Sequence, residues 1–138
     1  MLELNKEQKK KLIEKIAKKY GLTMLLLFGS RVDGTFRKDS DFDIAYLSKK
    51  KLDFLQEAKL SMALSPVCEN ENIDLSNLET ASPLLLYGIF QNCRMLFVDD
   101  PYRFYSMRVY AFKQYVEAQP LFELKFQRLQ EKIKSYQL

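Results

Sequence analysis

The sequence predicts a small α/β domain, and three observations carry that prediction. Amphipathic stretches at helical spacing alternate with short apolar runs through the first hundred residues. Those runs are too few and too short for a doubly wound sheet. The last third reads as helix throughout. Together they describe a small mixed sheet flanked by helices and followed by a helical C-terminus.

Residues 5 to 20 are the first predicted helix. Asn5 caps it with Gln8 in capping-box position. Leu12, Ile13, Ile16 and Tyr20 make the apolar stripe, lysines take the wet face, and Gly21 stops it. Thr23 to Phe28 reads as a buried strand. Gly29-Ser30 is a turn opening a short helix through Val32, and Gly34 to Ser40 is a polar loop. Asp41 to Leu47 is the second strand, and Leu52 to Leu64 a helix ended by Ser65-Pro66. Asn72 to Leu75 is a third strand. Ser82-Pro83 caps a helix to about Asn92, and Arg94 to Val98 is a fourth strand. Asp100-Pro101 starts the C-terminal helices, with Pro120 either separating two of them or kinking one.

At 138 residues the chain is expected to be one domain, 1–138, with a core over about 5–100 and a helical extension over about 101–138. The net charge of +4 suits a nucleotide or an acidic partner without requiring nucleic acid. Lys9-Lys10-Lys11 and Lys49-Lys50-Lys51 read as a solvated helix face and a turn, so direct nucleic-acid binding is not expected. No apolar run approaches membrane-spanning length, and the first residues lack a signal-peptide apolar region. Cys68 and Cys93 form no CxxC pair. The expectation is a cytoplasmic protein with two reduced thiols.

The chain has no histidine. That removes Ser-His-Asp and Cys-His nucleophile systems and histidine-ligated zinc or iron. Any catalysis rests on carboxylates, metal ions, Lys, Arg or Tyr. No GxGxxG follows a strand and no GxxxxGK[ST] occurs, so Rossmann and P-loop readings have no support.

What the sequence does carry is Gly29-Ser30 after an apolar strand, then Asp41-Phe42-Asp43 on the next. On a strand, Asp41 and Asp43 share one face while Phe42 and Ile44 turn into the core. Two carboxylates side by side repel unless a cation joins them, and Mg²⁺ suits that role because it takes few protein ligands and completes its shell with phosphate and water. Two such ions can stabilise the attacking and leaving oxygens of an in-line displacement. Gly29 lets backbone approach a triphosphate, and Ser30 with the following helix N-terminus offers donors to it. Arg31, Arg37 and Lys38 remain alternative sources of positive charge. Asp74, between Ile73 and Leu75, is the best third carboxylate, with Glu69 and Glu71 as competitors.

Leu26-Leu-Phe-Gly-Ser-Arg31 and Lys38-Asp-Ser-Asp-Phe-Asp-Ile44, with Asp74 beyond them, resemble the polymerase-β-like nucleotidyltransferases, and the size resembles their minimal (MNT) group. The resemblance implies a palm-like core. It also implies metal ligation and catalysis by Asp41, Asp43 and Asp74, nucleotide binding by Gly29 and Ser30, and Mg²⁺ with ATP as substrate. It further implies an antitoxin role: transfer of AMP to a hydroxyl, of tyrosine, on a cognate HEPN-domain ribonuclease toxin. The alternatives are an antitoxin that masks its toxin sterically, or a small-molecule transferase similar to the aminoglycoside-modifying relatives. Many relatives follow Gly-Ser-Arg with a small-basic run, where this chain has Val32-Asp33-Gly34.

Two aromatic stripes mark the C-terminal region. Tyr105, Val109, Phe112 and Val116 are expected to cover the sheet. Phe122, Phe126, Leu129 and Ile133 fit a partner-binding face and further core equally well.

Overall fold

The computed structural model describes residues 3–34 and 41–136. The elements run α1 (Lys6–Tyr20), β1 (Leu22–Phe28), α2 (Ser30–Asp33), β2 (Phe42–Ser48), α3 (Phe54–Cys68), β3 (Ile73–Asn77), α4 (Pro83–Gln91), β4 (Cys93–Val98) and α5 (Pro101–Tyr136). Among the described residues the strands form one four-stranded sheet in the order β3-β2-β1-β4. β1 runs antiparallel to both β2 and β4, whereas β2 and β3 are parallel. The small mixed sheet flanked by helices is thus the architecture expected.

Side chains alternate across the strands and divide the interior into two cores. Leu25, Leu27, Ile44 and Tyr46 pack with Ile13, Ile16, Leu60 and Leu64, which places α1 and α3 on one face. Met24, Leu26 and Ala45 pack with Leu86, Ile89, Phe90, Phe104 and Ala111, which places α4 and α5 on the other. β1 is buried over nearly its whole length because it lies inside the sheet with helices on both faces. That explains its unbroken apolar composition.

The caps behave as the residue types require. Asn5 and Gln8 exchange hydrogen bonds of 2.8 and 3.0 Å, and Gly21 ends α1 in the left-handed region. Ser82 accepts from the Leu85 amide at the start of α4. A second capping box joins Asp53 to Gln56, with bonds of 2.7 and 3.0 Å.

That second box explains one difference from the sequence expectation. α3 begins after Asp53 rather than at Leu52, and Leu52 is left to fill the first core. α3 also continues through Ser65-Pro66 to Cys68. A proline in the last turn removes a single intrahelical bond, to the carbonyl of Met62, and Met62 lies on an exposed face. The stop is Glu69, in the left-handed conformation and paired with Lys9 of α1 at 3.1 Å.

α5 departs further. It is one helix of 36 residues with Pro120 inside it, so the separation of two helices at that proline does not occur. The expected sheet-covering stripe is also shifted. Tyr105, Val109 and Val116 are exposed, and the buried face is carried by Phe104 and Ala111, with Met107 and Phe112 packed beside them. Tyr87 of α4 anchors this face, stacking on Tyr115 with centroids 3.8 Å apart and meeting Phe112 edge-on at 5.5 Å. A helix of this length spans about 54 Å, against about 20 Å for a seven-residue strand, so its far half has no sheet beneath it. Phe126, Leu129 and Ile133 are accordingly half or more exposed.

The α3 cap supplies a direct test of this assignment. Asp53→Ala is expected to lower stability by about 1 kcal/mol, read as a lower urea midpoint at unchanged slope.

Candidate active site

The candidate site lies where β1 ends. Phe28 pairs with Asp43 of β2, and Asp43 in turn pairs with Asp74 of β3. Parallel neighbours in register lie about 4.8 Å apart, so the two aspartates start side by side on adjacent strands. Their direction follows from their neighbours. Ile44, Ile73 and Leu75 pack in the α1/α3 core, so Asp43 and Asp74 turn to the α4 side. Asp41 precedes β2 with the same parity and is exposed.

Gly29 closes the site from the β1 side. Its φ of 78° lies in the region that side chains avoid. A Cβ built there would collide with the Asp43 carboxylate and sit 3.1 Å from its Cγ. Glycine is needed twice over: for the turn, and for the close approach of backbone to carboxylate. Ser30 then begins α2, and Gly29 supplies no side-chain cap. The first amides of a helix have no intrahelical acceptor and point toward an incoming anion.

The electrostatics match the geometry. Burial, followed by the negative charges of Asp74 and Asp41, raises the Asp43 pKa above its ordinary value. A carboxylate crowded in this way is relieved by a cation. Among the described residues no three His, Cys, Asp or Glu side chains form a closed metal cage. Mg²⁺ does not need one, since one or two carboxylates with phosphate and water complete its shell. The oxygen-only donor set and the glycine cradle beside it fit a Mg²⁺–triphosphate.

The competing residues separate clearly. Glu69 is drawn to Lys9 on the α1 side, and Glu71 is exposed before β3. Arg31 stacks on Phe42, 4.3 Å from the ring centroid, and Phe42 packs in the α1/α3 core. The Arg31 guanidinium therefore lies on the sheet face opposite the carboxylates, where it holds α2 against β2. Arg37 and Lys38, like all but Gly34 of the polar loop expected over Gly34 to Ser40, fall outside the described residues.

A cleft of about 420 Å³ adjoins the site, lined by Gly29, Gly88, Gln91 and Asn92. Gln91 and Asn92 lie at the end of α4 and share this cleft with Gly29. The sequence does not single them out, because polar residues at a helix end are ordinary. Only the return of α4 across the sheet brings them to Gly29.

Residues 10–102 match the family model described as polymerase beta, nucleotidyltransferase. The chain belongs to that nucleotidyltransferase family. It is 28% identical over 101 residues to protein adenylyltransferase MntA of Shewanella oneidensis, covering 71% of this chain and 70% of that one. Its fold is similar to a toxin–antitoxin crystal structure with AMP-PNP, at a TM-score of 0.74 and 24% identity over 88% of this chain and 98% of the other. It is also similar to an MNT antitoxin in complex with a tri-AMPylated HEPN toxin from Shewanella oneidensis, at a TM-score of 0.70 and 21% identity over 90% and 98% of the two chains.

The carboxylate crowding yields a pH prediction. A raised folded-state pKa means that the stability contribution of Asp43 is full below the ordinary aspartate value of about 3.9 and is lost as pH rises through the folded value. At pH 7 the charged form opposes folding. Asp43→Asn is therefore expected to raise the thermal midpoint in EDTA at pH 7, with the gain shrinking toward pH 4. MgCl₂ should raise the wild-type midpoint and leave the variant unmoved.

Proposed function

We propose that this chain is the antitoxin of a HEPN/MNT pair and transfers AMP from ATP to a hydroxyl, of tyrosine, on its cognate HEPN toxin. One observation carries the reading: Asp43 and Asp74 stand in register on adjacent strands, with Gly29 backbone against the Asp43 carboxylate. Membership of the nucleotidyltransferase family supports it. The names of the relatives supply the substrate and the acceptor: an adenylyltransferase, a complex with AMP-PNP and a tri-AMPylated HEPN toxin.

In this reading Asp41 and Asp43 hold Mg²⁺, and Asp74 completes the site. Bound there, Mg²⁺ supplies charge neutralisation for the triphosphate and polarises its phosphorus. The Gly29–Ser30 turn grips the phosphates through backbone amides and the Ser30 hydroxyl. The cleft beside Gln91 and Asn92 receives the nucleoside. The acceptor oxygen attacks the α-phosphorus in line, its bond to phosphorus forms as that to pyrophosphate breaks, and Asp74 takes the hydroxyl proton. Positioning and electrostatics supply most of the acceleration.

The far half of α5 suits the partner. Phe122, Phe126, Leu129, Ile133 and Tyr136 recur at alternating spacings of four and three, the pattern of a helix-packing seam; Phe122 is partly covered, and the other four are half or more exposed. Burial also raises the Cys68 thiol to about 11 and lifts Cys93, which favours the protonated form of both. Among the described residues no helix is long and apolar enough to cross a membrane.

Labelled ATP and Mg²⁺ incubated with this chain and its toxin are expected to label the toxin, and Asp41→Asn with Asp43→Asn to reduce labelling at least 10³-fold, roughly the loss of a principal electrostatic stabiliser. If that double variant still protects cells, steric masking is the operative mechanism. Phe126→Asp with Leu129→Asp should abolish copurification with the toxin while leaving the thermal midpoint within a few degrees, since both side chains are already exposed.

A further inference from the structure

At the end of the sheet opposite the carboxylates the structure gathers charge from three places in the chain. β1 begins at Leu22, and its first residue pairs with Ser48 at the end of β2. Around that corner Lys18 and Lys19 from the last turn of α1, Lys49, Lys50 and Lys51 from the β2–α3 connection, and Lys59 from α3 line one cleft of about 570 Å³. With β1 seven residues long, this cleft lies about 20 Å from Asp43.

Several features separate it from an ordinary wet surface. All six lysines are exposed, and among the described residues none has a carboxylate within ion-pairing distance. Lys9 and Lys11, from the other lysine run, are paired with Glu69 and Glu7. The Lys49–Lys51 connection is also held in shape. The Lys49 amide donates to the Gly21 carbonyl at 2.9 Å, the Ser48 hydroxyl donates to the Lys50 carbonyl at 2.6 Å, and the Asp53–Gln56 capping box fixes the start of α3 just beyond it. Like charges held together without counter-charges repel, and that repulsion is relieved by a polyanion that displaces their counterions.

The composition favours a chain of phosphates. Lysine ammoniums are point charges that suit phosphate oxygens without reading sequence, and the cleft has no arginine fork. Tyr20 lies in the same wall with Lys19 over its ring, 5.6 Å from the centroid. We infer that the Lys18/Lys19–Lys49/Lys50/Lys51–Lys59 cleft binds a linear polyanion of phosphates, either a single-stranded RNA backbone or inorganic polyphosphate, at a site independent of nucleotidyl transfer.

The test measures anisotropy of a fluorescein-labelled oligouridylate with the full chain across a salt series, with inorganic polyphosphate as competitor. A wild-type log K–log salt slope of about −4 is expected, roughly 0.7 per lysine engaged. Lys49→Gln/Lys50→Gln/Lys51→Gln should bring it to about −2, and Lys18→Gln/Lys19→Gln to an intermediate value. Competition by polyphosphate, or binding of polyphosphate alone, supports the site and names its source. A control removing the same charge elsewhere, Lys125→Gln/Lys132→Gln/Lys134→Gln, should keep the wild-type slope. Equal loss in that control would reduce the effect to net charge and overturn the assignment. So would unchanged slopes in the cleft variants, absence of binding at about 50 mM salt, or loss of the toxin complex with the probes bound as in wild type, which would make the cleft a protein-docking face. Labelling of the toxin proceeds normally in the cleft variants, so this test and that of the transfer reaction fail separately.

Discussion

The structure depends most on one close approach: the backbone of Gly29 occupies the space where a side chain would meet the Asp43 carboxylate. That contact sets how β1 leaves the sheet, where α2 begins, and how near the backbone of the turn comes to the carboxylates. It also leaves Asp43 crowded, partly desolvated and facing Asp74 and Asp41. A protein selected for stability alone would not keep three like charges there. The crowding is of the kind a divalent cation relieves, because its charge offsets the carboxylates that the fold leaves uncompensated.

The sheet separates the remaining tasks by face and by end. On the α1/α3 face, Arg31 lies over Phe42 and Glu69 is tied to Lys9, so charged groups near the site are used to hold structure. On the α4/α5 face stand the carboxylates and the cleft lined by Gln91 and Asn92. The far end carries the lysine cleft, and α5 extends away with most of its apolar seam exposed. Each surface follows from the alternation of side chains on short strands and from one helix that outruns the sheet.

Much of this is legible in the residues. The capping box at Asn5, the glycine stop at Gly21 and the Ser82-Pro83 start act through contacts only a few residues apart, so local reading finds them. Pro66 reads locally as a boundary and Pro120 as a boundary or a kink, yet both lie inside continuous helices. Pro66 falls in the last turn of α3, and the carbonyls that Pro66 and Pro120 leave free belong to the exposed Met62 and Val116, which local rules cannot know. The stripe expected at Tyr105, Val109 and Val116 is displaced for a related reason. Apolar residues surround much of α5, and packing against Tyr87 and Phe90 selects the face carried by Phe104 and Ala111.

The sequence by itself determined the alternation of helices and strands, the Gly29–Ser30 turn, and the shared face of Asp41 and Asp43, because these depend on backbone chemistry and a two-residue period. It also excluded histidine chemistry outright. Only the tertiary structure decided that Asp74, rather than Glu69, stands beside Asp43, because the parallel β2–β3 register is set by burying Ile73 and Leu75 with Ile44. It likewise turned Arg31 away from the carboxylates, brought Gln91 and Asn92 to the Gly29 turn, and joined lysines from three separate segments. Those juxtapositions join residues distant in the chain, and their positions are fixed by how two helical layers cover one small sheet.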